Sequence, residues 1–337
     1  MFLYKNYKIK ELQTSSINIY IYKTKPKIKM KRTDFLKNSG LLLTSTFLSN
    51  KLLADTKTDI NTLSEKKSQP FKLDYAPHQG MFAASAGKNF LDEIQYMYDL
   101  GFRSIEDNEM TSRSIEEQKK IGELLAKLGM RMGVFVVPKG GNGQNTLAAN
   151  KQEHIDIFLK GCRQSVEVAK RVNAKWVTVV PGDYQRNLPI GVQTANVIEA
   201  LKQGAEIFEP HGITMVLEPL SDTPDLFLRY TDQAYQICKA VDSPSCKILY
   251  DAYHQQKNEG NLISLMDQCW SEIAYIQVGD NPGRNEPYTG EVNFKNVFKW
   301  LYEKGYKGVI GMEHGMSESG KNGEQKLVAA YREADSF

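Results

Sequence analysis

The sequence predicts an α/β protein of the TIM (β/α)8 barrel class, and three observations carry that prediction. From residue 71 onward a short apolar run, a polar turn and an amphipathic helix recur in that order eight times. Gly101, Gly129 and Gly305 each follow a helical pattern and precede an apolar run, where a helix C-cap belongs. The last four apolar runs end on or beside a polar side chain, as barrel strands do where they carry chemistry.

The strands are expected at 72–76, 102–106, 131–137, 175–180, 213–218, 247–251, 273–278 and 308–313. Helical stretches such as "NFLDEIQYMYDLG", "SIEEQKKIGELLAKLG" and "HIDIFLKGCRQSVEVAKRVN" separate them. In the first, Phe90, Ile94, Met97 and Tyr98 recur at i, i+4, i+7 and i+8, the spacing of one helix face. Strict alternation implies parallel strands joined by right-handed crossovers, and eight such units close a single-domain barrel over residues 71–337. A doubly wound open sheet is the competitor. It usually carries a Gly-rich fingerprint after its first strand, and "YAPHQGMFAASAG" is not one.

The chain has 337 residues, 41% hydrophobic and 25% charged, which is ordinary globular material. Its net charge of +3 is unevenly distributed. Residues 1–54 hold eleven Lys/Arg against Glu11 and Asp34, so that segment is +9 and residues 55–337 are −6. A mildly acidic body without a basic stripe argues against a nucleic-acid partner and leaves a small-molecule substrate. The four cysteines form no C-x-x-C pair, which excludes a zinc knuckle or a thioredoxin-type motif. They read as buried free thiols, with a Cys238–Cys246 disulfide as the alternative.

Residues 1–54 read as an N-terminal extension outside the fold. A fresh start appears at Met30, in "MKRTDFLKNSGLLLTSTFLSNKLLA", with Lys31 and Arg32 ahead of an apolar stretch and Ala54 where cleavage would fall. That is the layout of an export signal, which predicts a periplasmic protein with Met30 as a candidate start. "KRTDFLK" resembles a twin-arginine motif with Thr33 in place of the second arginine, so the general secretory route stays open. The alternative is a tail on a cytoplasmic protein. Residues 55–70 are polar and linker-like. No later run reaches the roughly 20 apolar residues of a membrane span.

Polar residues at the strand ends carry the functional expectation. The fifth strand ends "VLEPL" and places Glu218; the sixth ends "LYDAYHQQ" and places Asp251, with His254 one turn on. The seventh places Gln277 inside an apolar run, and the eighth ends "GMEHG", placing Glu313 and His314. Three carboxylates converging in a narrow barrel repel one another, and burial adds to the cost. A divalent cation resolves both problems. Glu218, Asp251 and Glu313 with the Gln277 carbonyl oxygen form a hard ligand set suited to one Mg²⁺ or Mn²⁺ better than to Zn²⁺. Taken singly, each residue has a plainer role: a glutamate can pair with a rim lysine, and His314 can satisfy a backbone carbonyl. The loop "PKGGNGQN" at 138–145 lacks phosphate-loop spacing and reads as a lid.

The strings "MVLEPLSD", "YDAYHQQKNEGNL", "IQVGDNPGRNEPYTGEVNF" and "GYKGVIGMEHG" resemble the hydroxypyruvate isomerase branch of the xylose isomerase-like TIM barrels, from about residue 71 to the end of the sequence. The resemblance implies that Glu218 and Glu313 are the catalytic acid/base pair as well as metal ligands, with Asp251 and Gln277 completing the shell. It implies that His254 and Arg284 contact substrate oxygens. Related ketose 3-epimerases place a histidine where Gln277 stands. The expected reaction is proton transfer through an enediolate, interconverting hydroxypyruvate and tartronate semialdehyde, with Arg284 holding the substrate carboxylate. His78 and Glu106, at the ends of the first two strands, are weaker candidates for substrate contact. The rivals are a ketose 3-epimerase or other sugar isomerase on the same barrel, and an exported barrel that binds a sugar without turning it over. A barrel endonuclease needs a histidine-rich trinuclear zinc site, which five scattered histidines do not build. A homo-oligomer is compatible with every one of these readings.

Overall fold

Eight parallel strands close into a ring in the computed structural model, which describes residues 69–337. The N-terminal extension and all but the last two residues of the expected linker lie outside the described residues. The strands are β1 (Asp74–Pro77), β2 (Ser104–Ile105), β3 (Arg131–Met132), β4 (Trp176–Val179), β5 (Thr214–Leu217), β6 (Cys246–Asp251), β7 (Ile273–Gln277) and β8 (Val309–Met312). Each lies within its predicted span or one residue beyond it. Six pair in the order β1-β8-β7-β6-β5-β4, and β2 pairs with β3. Parallel bridges His78–Glu106 and Val136–Thr178 join the two sets, so the ring is complete.

β3 is shorter than its apolar run because its ladder is interrupted. The Val134 N–H donates to the Tyr275 hydroxyl at 3.3 Å instead of to a neighbouring strand. Pairing resumes beyond it, where Thr178 N donates to Phe135 O at 2.8 Å. The helices obey their end signals. Helix Ile115–Leu128 starts on a capping box between Ser114 and Glu117 and stops at Gly129, whose φ of 65° is left-handed. Gly101 and Gly305, with φ of 102° and 74°, follow helices Phe90–Asp99 and Phe294–Glu303. Among the described residues no helix is long and apolar enough to cross a membrane.

Of the three apolar clusters among the described residues, one is a small group of Val180, Leu220 and Leu226, and the other two hold the barrel. The larger lies between strands and helices, where Tyr75 packs against Phe298 and Tyr331 at centroid distances of 5.0 Å. The smaller fills the barrel interior and consists of Ala76, Val134, Val216, Leu249, Tyr275 and Val309. Burying each aliphatic side chain of this kind contributes about 1.5–3 kcal/mol.

Side chains two apart on a strand share a face, so the residue two positions after an interior apolar residue also points inward. Ala76 is followed by His78, Val216 by Glu218, Leu249 by Asp251, Tyr275 by Gln277, and Val309 by Gly311 and then Glu313. The polar strand ends are therefore the upper layer of the interior core. Cys162, Cys238, Cys246 and Cys269 are free and buried. Contact with Cys246 and burial both raise the Cys238 thiol well above its ordinary pKa.

Candidate active site

Register brings Gln277 between its neighbours: it is the Cα partner of Asp251 on β6 and of Gly311 on β8. Glu218 continues β5 by one residue, its N–H donating to Val179 O at 3.4 Å. His254 sits in the first turn after β6, where Asp251 caps the short helix Ala252–Asn258 by accepting from Tyr253 N at 2.8 Å. One ligand atom from each of Glu218, Asp251, His254 and Glu313 lies within 4.8 Å of the others. Asp251 is fully buried, His254 and Gln277 are 1% exposed and Glu218 is 6% exposed.

This burial raises the carboxyl pKa values of Glu218 and Asp251. Burial lifts Glu218 well above the carboxylate range, and the negative charges of Glu313 and Asp251 add to it. Asp251 is pushed up to about 6 by burial, against the pull of Arg284. Glu218 Oε1, Gln277 Oε1 and His254 Nε2 are buried without a hydrogen-bond partner. Each such atom costs about 1–3 kcal/mol when left unpaired. Two oxygens in want of a partner, beside the carboxylates of Asp251 and Glu313, make a donor set that fits a hard divalent cation.

His254 is oriented by a group that sequence reading passed over. The Ser221 backbone N–H, 3.1 Å from His254 Nδ1, can only donate, so Nδ1 is the acceptor. The neutral imidazole therefore carries its proton on Nε2, 3.5 Å from Asp251 Oδ2 and 3.8 Å from Glu218 Oε1. Burial, then Arg284, lowers the His254 pKa to about 4, which favours this neutral form. In this tautomer Nε2 is a donor and has no lone pair for a cation.

Arg284 reaches the cluster from the loop after β7. Its Nη2 donates to Glu313 Oε2 at 2.8 Å and to Asp251 Oδ2 at 3.2 Å, and its Nε donates to Glu313 O at 3.1 Å. Tyr253 stacks beneath the guanidinium, 4.9 Å from ring centre to carbon. Burial works against this charge, but Asp251 and Glu313 outweigh it and hold Arg284 more firmly protonated than usual. The expected partner of Arg284 was a substrate carboxylate; here its donors meet two carboxylates of the protein.

Asn108, also passed over, donates from Nδ2 to the other Glu313 oxygen at 2.9 Å. Asn108, Arg284 and Glu313 line both of two adjoining cavities. The outer one, about 520 Å³, adds His78, Gln79 and His314. The inner one, about 150 Å³, adds Glu218, His254, Asp222 and Asn142. Asn142 comes from the 138–145 loop and reaches Asp222 at 3.4 Å. His314 faces Gly315 O at 2.6 Å and the Tyr331 hydroxyl at 2.7 Å, which is the plain structural role the sequence allowed.

His78 lies at the outer cavity, 3.4 Å from Glu106. Burial opposes a charge on His78, yet the Glu106 carboxylate outweighs it and raises the imidazole pKa. Glu106 itself is fully buried and lines neither cavity. Its carboxylate accepts from Gln277 Nε2 and from the Tyr275 hydroxyl. Asn108 carried a weak signal in the sequence, since it lies two residues after Glu106 at the C-terminal end of β2. Ser221, whose Oγ also lies 2.8 Å from His254 Nδ1, carried none, because a serine in a loop beyond a strand end leaves no periodic trace.

A family model described as "Xylose isomerase-like TIM barrel" matches residues 94–334. Hydroxypyruvate isomerase of Escherichia coli K12 is 28% identical over 232 residues, covering 67% of this chain and 88% of that protein. A 2-oxo-tetronate isomerase of Pectobacterium atrosepticum is 27% identical over 237 residues, covering 68% and 89%. Among solved structures, the 3-keto-D-glucoside 4-epimerase of E. coli superposes with a TM-score of 0.65 at 19% identity, covering 77% of this chain and 99% of that one.

Proposed function

We propose the activity of this protein from one premise: the chain belongs to the xylose isomerase-like TIM barrel family. It is an isomerase, as are its curated relatives. Its substrate in our reading is a short 2-oxo acid with a neighbouring hydroxyl, hydroxypyruvate first, interconverted with tartronate semialdehyde. The observation that carries this reading is the inner cavity, where two glutamates, a neutral histidine donor and an arginine fork share about 150 Å³.

Glu218, Asp251, Glu313 and the Gln277 oxygen would hold one Mg²⁺ or Mn²⁺, on the support of the unpartnered oxygens. When bound, such an ion supplies positive charge that steadies adjacent substrate oxygens and the negative charge of the enediolate. In this reading Arg284 gives up its contacts to Asp251 and Glu313 when substrate enters and turns its planar fork to the substrate carboxylate, which fixes the chain of the acid across the cavity. One of Glu218 and Glu313 takes the proton from the hydroxymethyl carbon, and the electron pair moves into the bond with C2. The other glutamate delivers a proton to C2, while the hydroxyl proton passes to the former carbonyl oxygen. His254 Nε2–H donates to that oxygen, and Ser221 keeps it a donor throughout. Before substrate enters, Asn108 and Arg284 hold the two Glu313 oxygens apart, so the carboxylate keeps one orientation.

Purified protein with Mn²⁺ tests this directly. Turnover of hydroxypyruvate or 2-oxo-tetronate is expected, and turnover confined to free ketoses would assign the barrel to sugar epimerisation instead. We also propose residues 30–54 as an export signal, supported by Lys31, Arg32 and the apolar stretch before Ala54. A reporter active only outside the cytoplasm, fused after residue 70, should be active; a silent reporter overturns export.

A further inference from the structure

We propose that Glu106 is the positioning residue of Gln277: its buried carboxylate captures the amide nitrogen and so turns the amide oxygen toward the cluster of strand-end ligands. The inference rests on the reading of Gln277 as a ligand given above.

An amide side chain has two ends of nearly the same shape, and only its partners decide which end is nitrogen. The partners of Gln277 can be ordered from a group that has no choice. The Val134 backbone N–H can only donate, and it meets the Tyr275 hydroxyl at 3.3 Å. The Tyr275 oxygen is thereby the acceptor of that bond, and its own proton is free to point at Glu106 Oε2, 3.3 Å away. Glu106 is thus the acceptor at the end of the chain, and its Oε1 accepts from Gln277 Nε2. His78 Nε2 stands 3.4 Å from that same Oε1. With the nitrogen held, Gln277 Oε1 is the end turned away from Glu106, and it is buried without a hydrogen-bond partner.

The barrel is shaped around this contact. A Cβ at Gly311 would lie 1.7 Å from Glu106 Oε2 and 2.9 Å from Gln277 Cγ. A Cβ at Gly133 would lie 2.3 Å from the Tyr275 hydroxyl. Two strand positions are thus kept bare to admit a carboxylate and a phenol to the barrel interior. A fully buried carboxylate is costly, and an apolar side chain would fill the space more cheaply. Orienting a ligand explains its presence, since groups that hold a ligand by its far side typically change metal affinity about 10–100-fold.

Metal-stripped full-length protein titrated with Mn²⁺ by calorimetry tests the assignment, with folding followed by circular dichroism. Gln277→Ala should weaken binding; unchanged affinity would remove the ligand reading itself. Given that loss, Glu106→Gln should weaken binding about 10–100-fold, because an amide facing an amide no longer selects which end turns inward. Unchanged affinity in Glu106→Gln would overturn the positioning role alone. Combining Glu106→Gln with Gln277→Glu exchanges donor and acceptor while keeping the charge. The double variant should bind Mn²⁺ more tightly than either single variant, and tests the point even if Glu106→Gln alone does not fold. A double variant no tighter than Gln277→Glu would show that Glu106 acts by something other than orientation.

Discussion

Arg284 Nη2 lies 2.8 Å from Glu313 Oε2, so a cation from a loop meets a carboxylate from a strand end at the wall shared by both cavities. The same nitrogen reaches Asp251, where its charge pulls against the burial that raises that carboxyl pKa. Arg284→Met should therefore lower the melting temperature of the metal-free protein. Added Mn²⁺ should then raise it by more than in the wild type. Its KM for hydroxypyruvate should rise about 10–100-fold, the loss of one charge-assisted fork. Arg284→Lys should restore much of the melting temperature but little of the KM, since a lysine supplies charge without the planar fork. Steady-state kinetics beside thermal melts separates the two effects.

The two glutamates predict a second pattern. Glu218→Gln and Glu313→Gln should each cut kcat about 10²–10⁴-fold, the usual contribution of a positioned proton-transfer group. Asn108→Ala should act only through Glu313, whose Oε1 it holds at 2.9 Å. Its kcat loss should therefore vanish in the Glu313→Gln background, a double-mutant cycle that independent roles would not produce.

Much of this was legible because strand periodicity and site chemistry coincide. Once Leu249 and Val309 are interior, Asp251 and Glu313 must be interior too, and an apolar run with an inward Gln277 ceases to be a contradiction. The sequence could not show that Glu106 would lie beneath Gln277 rather than at the rim. That depends on the space left by Gly311 and Gly133, which belong to other strands. Nor could it show that Arg284 would meet Asp251 and Glu313, because a loop conformation with φ of 51° at an arginine leaves no periodic trace.

The string around Arg284 makes a third prediction. Asp280 is fully buried and accepts from Gly290 N at 2.9 Å and Val292 N at 3.0 Å, closing the loop on itself. Arg284 N in turn donates to Asp280 O at 2.7 Å. A Cβ at Gly290 would lie 2.0 Å from Asn281 O, so the loop admits no side chain there. Asp280→Ala leaves two N–H groups without their acceptor and should destabilise the fold by about 2–4 kcal/mol. The KM for hydroxypyruvate should rise with it, since the loop that carries Arg284 loses the side-chain clasp that closes it. Denaturant unfolding and kinetics on the same preparation check both.

Lys139 makes the last prediction, and it concerns pH. It anchors the 138–145 loop by donating from Nζ to Gln144 O at 2.6 Å, and it is only 4% exposed. Burial lowers its pKa to about 8, against the pull of Asp183. In the unfolded chain a lysine titrates near about 10.4, so between the two values the unfolded chain holds more protons than the folded one. Stability must then rise with pH across that window and fall again as pH drops through about 8. Other groups titrate there as well, but Lys139→Met lacks this contribution and shares the rest. The unfolding free energy of the wild type, measured relative to Lys139→Met, should therefore increase steadily from the lower end of the window to the upper. A difference that stays flat with pH would mean that the amine keeps its ordinary pKa and that the loop lies open to water.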